Sequence, residues 1–452
     1  MKRRAFVGAL AAALGAHKKL HAIDCACAAP DAQTPHPQSQ GAHAMEDNPW
    51  LDEAAARLGS KARITGMKVL PVFVPSGPAD RPYIFVKLET DLGLTGWGEA
   101  TLEGKANAVA GCLEDFRPYI MGCDPVQVEH HWQSMYVHSF YRGGPVIGSA
   151  ISGVDQALWD LRGKMIGLPV YKLLGGPFEA RGVRGYYHLD GGRNREELAA
   201  VRETALREGI TCFKTGPNAR TFEWLDTHAK IDRAIKDMQL MREVLGPDID
   251  IAVDFHAKTS PSVASVILKE VEPLNLLFAE EPCPPENISA MARIAKRTTT
   301  PLATGERLIT AYGCTELIEM GVVDILQTDI NHVGGVTALW KVAAMAEAGG
   351  IAMAPHSCEG PIGGMATLHV DAAMPNFLVQ EICGGVRPSE RDKVWEDWFG
   401  FPVLRMVDGR FPLPEKPGLG FELNEDVLKP FAFAGSRPMP RLFHDDGSVA
   451  EW

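Results

Sequence analysis

Ionisable side chains recur at a nearly constant spacing through the second half of this 452-residue sequence. Asp254, Glu280 and Glu306 each follow a short apolar run, and they are separated by steps of 26 and 26 residues. The series continues at steps of 23, 27 and 25 residues, through Asp329, His356 and Glu381. One β-strand and one α-helix fill a step of this length. The spacing therefore predicts a succession of strands that each end in an ionisable residue.

Carboxylates that converge at neighbouring strand ends repel one another, so they need a cation between them. Ligands that are all oxygen favour a hard ion over zinc, so we expect Asp254, Glu280 and Glu306 to bind Mg²⁺ or Mn²⁺. Strand alternation alone does not choose between Glu280 and its neighbour Glu281. The net charge of −12 argues against nucleic acid as a partner and favours a small-molecule substrate.

The other members of the series suit proton transfer beside a metal. His256 follows Asp254 by two residues in IDIAVDFHAK, and side chains two apart on a strand share a face. A metal would hold a substrate carboxylate while a histidine removes the neighbouring proton. Asp329, one unit before His356, is placed to orient that imidazole and set its tautomer.

Strands alternate with helical segments from about Gly182 onward. Eight apolar segments carry the strand pattern: RGYYHL, CFKTG, IDIAVDFH, LLFAEEP, PLATGE, VDILQTDI, GIAMAPHS and FLVQEIC. This number within about 200 residues is typical of an α/β protein with a (β/α)₈ barrel, whose strands open on one face. A doubly wound open sheet is the alternative, but no G-x-G-x-x-G follows the first strand.

The barrel pattern at 179–386 is preceded by an α+β segment at 61–178. There ITGMKVLPVFV and YIFVKLETDLGLTGWGEA predict a small antiparallel sheet with a turn at 91–93. The nine cysteines form no disulfide framework, and without a C-x-x-C we expect no structural zinc. Cys283, Cys358 and Cys383 lack a neighbouring base pattern that would mark a nucleophile.

The N-terminus has the pattern of an export signal. Arg3 and Arg4 precede an apolar run of 12 residues, Ala5 to Ala16, which is too short to span a bilayer. The arginine pair resembles a twin-arginine signal, so we predict a signal peptide at 1–28, a linker at 29–60 and an exported or periplasmic protein. The alternative is a cytoplasmic protein that starts at Met45.

The strand ends D-x-H, E-E-P, G-E-R, Q-x-D and A-P-H, with Q-E on the last strand, resemble the mandelate racemase group of the enolase superfamily. The resemblance covers nearly all of residues 64–452. It implies a capping α+β domain onto which the segment 387–452 folds back, and a homo-oligomer. It also implies an acid-sugar substrate and a barrel that binds Mg²⁺ through Asp254, Glu280 and Glu306.

The resemblance further implies a role for each remaining residue. His356 would remove the C2 proton with Asp329 as its partner, and His256 would protonate the departing C3 hydroxyl. Glu381 would contact the enolate oxygen as a hydrogen-bond donor or through a shared proton. The implied product, from an aldonate of the galactonate type, is a 2-keto-3-deoxy acid.

The second strand departs from the racemase pattern. Where that pattern has K-x-K, CFKTG gives Lys214 and then Gly216, so the base for two-base racemisation is missing and elimination is favoured. Lys214 either contacts the substrate or is a charged strand-end residue. We expect His332 to be a loop or packing histidine and Arg307 to balance the acidic cluster.

Three other functions stay open. An epimerase or a cycloisomerase would use the same enolate. A sugar-acid binding protein would keep the pocket without turnover. A metal hydrolase would want H-x-H on the first strand, where YYHLD offers one histidine.

Overall fold

Two β-sheets organise the computed structural model, which describes residues 62–74, 81–189, 194–217, 223–358, 360–382, 390–401 and 403–451. The predicted signal peptide, the predicted linker and Cys383 lie outside the described residues. Within the described ranges, no helix is long and apolar enough to cross a membrane.

The first sheet is antiparallel, as the sequence predicts. Its strands, in the order β1-β2-β3, are Ile64–Phe73, Pro82–Thr90 and Thr95–Glu99. Gly93 has φ 73° in the turn between β2 and β3, where the Thr90 amide donates to the Leu94 carbonyl at 3.1 Å. Four helices follow: α1 Ala106–Ile120, α2 Val128–His138, α3 Pro145–Ile166 and α4 Val170–Leu173. This sheet and these helices form a layer that we call the cap.

Eight parallel strands follow the cap and alternate with helices. The strands are β4 Val183–His188, β5 Cys212–Thr215, β6 Asp250–Asp254, β7 Phe278–Glu280, β8 Leu302–Thr304, β9 Ile325–Leu326, β10 Ala352–Met353 and β11 Gln380–Ile382. The helices are α5 Arg195–Glu208, α6 His228–Leu245, α7 Pro261–Val271, α8 Ile288–Ala295, α9 Thr310–Met320, α10 Ile330–Val333, α11 Gly335–Ala348 and α12 Pro361–Asp371.

The strands form a curved sheet in which sequential strands are neighbours. They follow the order β10-β9-β8-β7-β6-β5-β4-β11. The two ends of this path meet just before β11, where the Met353 amide donates to the Asn376 carbonyl at 2.9 Å and the Leu378 amide donates to the Met353 carbonyl at 2.8 Å. The order never reverses direction, so the doubly wound alternative is wrong and the barrel prediction is confirmed.

Side chains from all eight strand segments fill the barrel interior. One buried cluster takes one residue from each, namely Tyr186, Cys212, Ala252, Phe278, Ala303, Ile325, Ala354 and Val379. Strands that are buried on both faces are apolar until their last residues, which explains why ionisable groups collect at the carboxyl ends.

The last part of the chain packs on both layers. It contains α13 Glu390–Phe399, β12 Arg410–Phe411 and a 3₁₀ helix at Glu425–Phe431. β12 pairs antiparallel with β4, which the sequence pattern does not predict. The Phe433 amide donates to the Pro71 carbonyl at 3.0 Å, and Trp398 packs edge-on against Phe85 in the cap. The exact bounds predicted for the α+β segment (61–178), the barrel (179–386) and the C-terminal segment (387–452) stay predictions.

Candidate active site

The carboxyl ends of β6, β7 and β8 carry the three predicted metal ligands. Asp254 and Glu280 are the last residues of neighbouring strands and are direct partners in the parallel register. Glu306 comes two residues after β8, beyond Gly305, whose φ is 143°. Burial and the neighbouring Asp254 carboxylate raise the pKa of Glu280 well above its ordinary value. A carboxylate in these surroundings needs a compensating cation.

Lys214, on β5, supplies one positive charge within this cluster. Its side chain is buried, and its Nζ lies 2.6 Å from Glu381 Oε1, 3.1 Å from Glu280 Oε2 and 3.5 Å from Asp254 Oδ2. Burial works to lower the pKa of Lys214, but Glu280 and Glu381 outweigh it and raise the pKa well above the ordinary value. Lys214 is therefore a cation held among carboxylates.

Glu280 and Glu281 point to different partners. Glu281 receives two hydrogen bonds from Arg307, at 2.6 and 3.1 Å, and Arg307 also contacts Glu451 at 2.8 Å. Burial and the Glu306 carboxylate raise the pKa of Glu281 to about 7. Glu281 is ion-paired with Arg307, whereas Glu280 contacts Lys214 and faces the carboxylate cluster.

His356 and Asp329 form a buried pair on the other side of the cluster. His356 Nδ1 lies 2.6 Å from Asp329 Oδ2, which leaves Nε2 facing Glu306 Oε1 at 3.7 Å and Glu381 Oε2 at 3.8 Å. Asp329 is fixed in turn as the N-cap of α10, where its Oδ1 accepts from the Asn331 amide at 2.5 Å. Burial works to lower the pKa of His356, but Glu306, Glu381 and Asp329 raise it well above the ordinary value.

Glu381, on β11, accepts hydrogen bonds from three directions. Lys214 Nζ and His188 Nε2 each lie 2.6 Å from Oε1, and the Ser357 amide donates to Oε2 at 3.1 Å. Burial works to raise the pKa of Glu381, but Lys214, His356 and His188 lower it well below the ordinary value. Glu381 is therefore held as a carboxylate, and the protons lie on its neighbours.

His256 does not continue strand β6. The strand ends at Asp254, and His256 and Ala257 have φ values of 48° and 54° in the turn that follows. The strand predicted to include His256 is thus too long, and alternation does not place its side chain beside Asp254. Asp254 Oδ1 instead accepts from the His256 amide at 2.7 Å, and Lys258 Nζ lies 3.1 Å from His256 Nδ1.

The pattern analysis missed His188 as a member of the site. It is the last residue of β4, so it occupies the position in the first unit that the acids and His356 occupy in later units. Cys358 also gains a histidine neighbour, because its Sγ lies 3.8 Å from His188 Nε2. His332 is a packing histidine as predicted, since it is buried and its Nδ1 lies 2.9 Å from Ser149 Oγ on α3.

Comparisons with known families match both layers of the fold. Residues 70–175 match the model described as mandelate racemase/muconate lactonizing enzyme, N-terminal domain. Residues 196–427 match the model described as enolase C-terminal domain-like.

The relatives in sequence include proteins named D-galactonate dehydratase. The protein from Xanthomonas campestris pv. campestris (strain B100) is 38% identical over 374 residues, which are 82% of this chain and 96% of the relative. The protein from Pectobacterium atrosepticum is 37% identical over 372 residues, with the same coverage of both chains.

Solved structures with bound ligands also match. An enolase from Pantoea ananatis with bound D-gluconate and Mg is 29% identical, with a TM-score of 0.77 over 86% of this chain and 100% of the other. A putative galactarate dehydratase from Agrobacterium radiobacter, with bound Na and L-malate, is 29% identical with a TM-score of 0.78 over the same shares.

Proposed function

The chain belongs to the mandelate racemase/muconate lactonizing enzyme family of the enolase superfamily, and its relatives support a sugar acid dehydratase, a hydro-lyase. On this premise we propose that it is a Mg²⁺-dependent dehydratase of an aldonate of the galactonate type. The observation that carries the proposal is the Asp329–His356 pair, whose imidazole Nε2 faces the carboxylate cluster. We further propose that the enzyme is a homo-oligomer, as its family resemblance implies.

The residues present fit a hard divalent cation. Asp254, Glu280 and Glu306 offer only oxygen, and they come from three consecutive strands. Lys214 alone does not balance Asp254, Glu280 and Glu381, and the raised pKa of Glu280 marks the missing positive charge. Asp254, Glu280 and Glu306 would hold the ion. When bound, Mg²⁺ would hold the substrate carboxylate and stabilise the negative charge that develops as the C2 proton leaves.

His356 is the base in this proposal. Asp329 Oδ2 accepts a hydrogen bond from Nδ1–H, so in the deprotonated, neutral ring Nε2 carries the lone pair and takes the proton from C2. The carboxylate of Asp329 also stabilises the imidazolium that forms. The C2–H bond breaks, and its electron pair moves into the substrate as an enolate.

His256 is the acid that completes the elimination. Lys258 Nζ donates to His256 Nδ1, so the ring carries its proton on Nε2. That proton goes to the C3 hydroxyl while the Lys258 ammonium passes a proton to Nδ1, so the ring stays neutral. The C3–O bond breaks, and water leaves. The enol product takes up a proton and tautomerises to a 2-keto-3-deoxy acid.

The role of Glu381 differs from the donor role that the family resemblance implies. As a carboxylate it cannot donate to the enolate oxygen. It instead holds two donors, Lys214 and His188, beside the reacting centre, and these can stabilise the developing oxyanion. In this proposal Lys214 contacts the substrate, which is one of the two roles that the sequence leaves open.

Elimination is favoured over epimerisation because a second base is missing from the described face. Lys214 is held as an ammonium among carboxylates, and the next position of the same parity, just beyond β5, is Gly216, which has no side chain. An epimerase or cycloisomerase acting through the same enolate remains the second candidate. It would give a product of the same mass as the substrate.

Proton NMR of the purified protein with Mg²⁺ in D₂O tests the proposal against a panel of aldonic and aldaric acids. We expect a 2-keto-3-deoxy product from at least one aldonate, and no product after chelation of the metal. Deuterium at C2 without loss of water would replace dehydration by epimerisation. If no acid gives a product or exchanges its C2 proton, but at least one acid binds measurably, the result would favour the sugar-acid binding protein.

A further inference from the structure

Three side chains of types that bind metal ions, His188, Cys358 and Glu381, lie close together at the mouth of the barrel. We propose that His188, Cys358 and Glu381 bind a thiophilic divalent cation such as Zn²⁺, and that this ion inhibits the enzyme. One ligand atom from each residue lies within 4.8 Å of the other two. The set comes from β4, from the loop after β10 and from β11.

The donor atoms select a different ion from the one that the three carboxylates suit. Imidazole nitrogen, thiolate sulfur and carboxylate oxygen are the ligands of zinc, whereas Mg²⁺ avoids thiolate. Three protein ligands leave the fourth tetrahedral position to water. Binding releases the proton of the Cys358 thiol.

The distances are close to those of a tetrahedral site. With bonds of about 2.0–2.3 Å, ligand atoms around zinc lie about 3.4 Å apart. Cys358 Sγ and His188 Nε2 are 3.8 Å apart, so this pair has the needed separation. His188 Nε2 and Glu381 Oε1 are 2.6 Å apart and must separate by less than about 1 Å.

The fold holds two of the ligands in place without the ion. β4 and β11 are paired strands, with Glu381 opposite Tyr186, so His188 and Glu381 stand on a rigid part of the barrel. The Ser357 amide holds Glu381 Oε2, which leaves Oε1 as the atom that turns toward His188. Little side-chain ordering is therefore needed on binding.

Lys214 is the nearest positive group that opposes a cation here among the described residues, and His356 Nε2 lies farther off, 3.8 Å from Glu381 Oε2. Its Nζ must leave Glu381 Oε1, but it already contacts Glu280 Oε2 at 3.1 Å and Asp254 Oδ2 at 3.5 Å. The Cys358 thiolate adds the negative charge that compensates for the remaining repulsion. Because the ion takes Glu381 and His188 away from Lys214 and the substrate, occupation stops turnover, and added Mg²⁺ does not reverse it.

Cd²⁺ titration of the Mg²⁺-loaded full chain tests the site through the ultraviolet charge-transfer absorption of a cadmium–thiolate bond. We expect the band to saturate at one equivalent, to be displaced by Zn²⁺ and to vanish in Cys358→Ser. Cys123→Ser, which removes a half-buried thiol in the cap, should keep the band. A band that persists in Cys358→Ser, or no band in the unsubstituted chain, would overturn the proposal.

A second variant covers the case in which Cys358→Ser does not fold. His188→Gln removes the imidazole ligand, and we expect Cd²⁺ binding at least about tenfold weaker, since even groups that only support a ligand have effects of this size. Unchanged binding would overturn the proposal. Neither readout uses turnover, so the result is independent of the proposed dehydratase activity.

Discussion

Charge balance around Lys214 decides which residues can move protons. Its ammonium contacts carboxylates from both sides, those of the proposed metal site and that of Glu381. Protonation of any of these carboxylates would remove part of the negative electrostatic potential that keeps the Lys214 amine protonated. The buried ionisable groups of the barrel mouth therefore act as one unit, and single substitutions change more than the residue that is replaced.

Replacement of His356 by asparagine should remove the base and leave the fold intact. General-base catalysis contributes about 10²- to 10⁴-fold, so kcat/KM should fall by at least about 10²-fold. Steady-state kinetics and a thermal unfolding scan measure both effects, with His138→Asn on the exposed end of α2 as the control. Turnover within about tenfold of the unsubstituted enzyme would rule out His356 as the base.

Replacement of Asp329 by asparagine should move the pH profile as well as the rate. Asp329 is one of the carboxylates that raise the pKa of His356, and the base must be deprotonated to work. In the unsubstituted enzyme, activity should rise as the pH rises through that pKa. In Asp329→Asn, the acidic limb of kcat/KM should move to lower pH while kcat falls. An unmoved limb would show that Asp329 does not control the protonation of His356.

At the scale of elements, the strand ends explain how much of the site the sequence predicts. The spacing of one acid per strand and helix finds Asp254 and Glu381 because the barrel repeats that unit and opens all its strands on one face. The same rule applies to His188 at the end of β4, but the regularly spaced series begins only at the third strand. Alternation fails at His256 because the chain leaves the strand through left-handed residues, and an acid-x-histidine sequence does not encode that turn.

The contact between β3 and α3 sets a sharp packing limit in the cap. A Cβ at Gly98 would collide with the Gly153 carbonyl oxygen, so Gly98→Ala should lower the free energy of unfolding by about 1–3 kcal/mol. Gly111→Ala in α1 is the matched control, because its Cβ meets open space and alanine favours the helix by about 1 kcal/mol. Denaturant midpoints measure both, and equal midpoints for the two variants would contradict the packing argument.

At the scale of the whole molecule, the C-terminal end of the chain returns to the barrel. The last residues lie at its mouth, where Glu451 contacts Arg307 and Asp445 contacts Lys230. Neither contact follows from local sequence pattern, since the partners are more than a hundred residues apart. The cap and the barrel repeat are visible in the sequence, whereas the family resemblance implied only that the segment 387–452 folds back on the cap.

For the N-terminus we propose export through residues 1–28. A twin-arginine signal depends on both arginines, so Arg3→Lys with Arg4→Lys should leave the protein in the cytosol. Lys18→Arg with Lys19→Arg keeps every charge and should not change export. Cell fractionation with N-terminal sequencing measures the outcome. An intact Met1 on cytosolic protein, with none in the periplasm, would contradict the proposal.

The buried contact between the cap and the barrel gives stability a pH dependence. Asp155 on α3 is fully buried, and its Oδ2 accepts from the Thr337 amide in the first turn of α11 at 3.0 Å. Burial raises the pKa of Asp155 from 3.8 to about 7, so between these values the folded chain binds a proton that the unfolded chain has lost. This contribution to stability is therefore present at low pH and is lost as the pH rises toward 7, and each pKa unit is worth about 1.4 kcal/mol.

Asp155→Asn keeps the acceptor without the charge, so its free energy of unfolding should fall less between about pH 5 and about pH 8 than that of the unsubstituted chain. Urea unfolding at both pH values measures the difference, with exposed Asp115→Asn as the control. The same pH dependence in all three proteins would mean that Asp155 keeps an ordinary carboxylate at this contact.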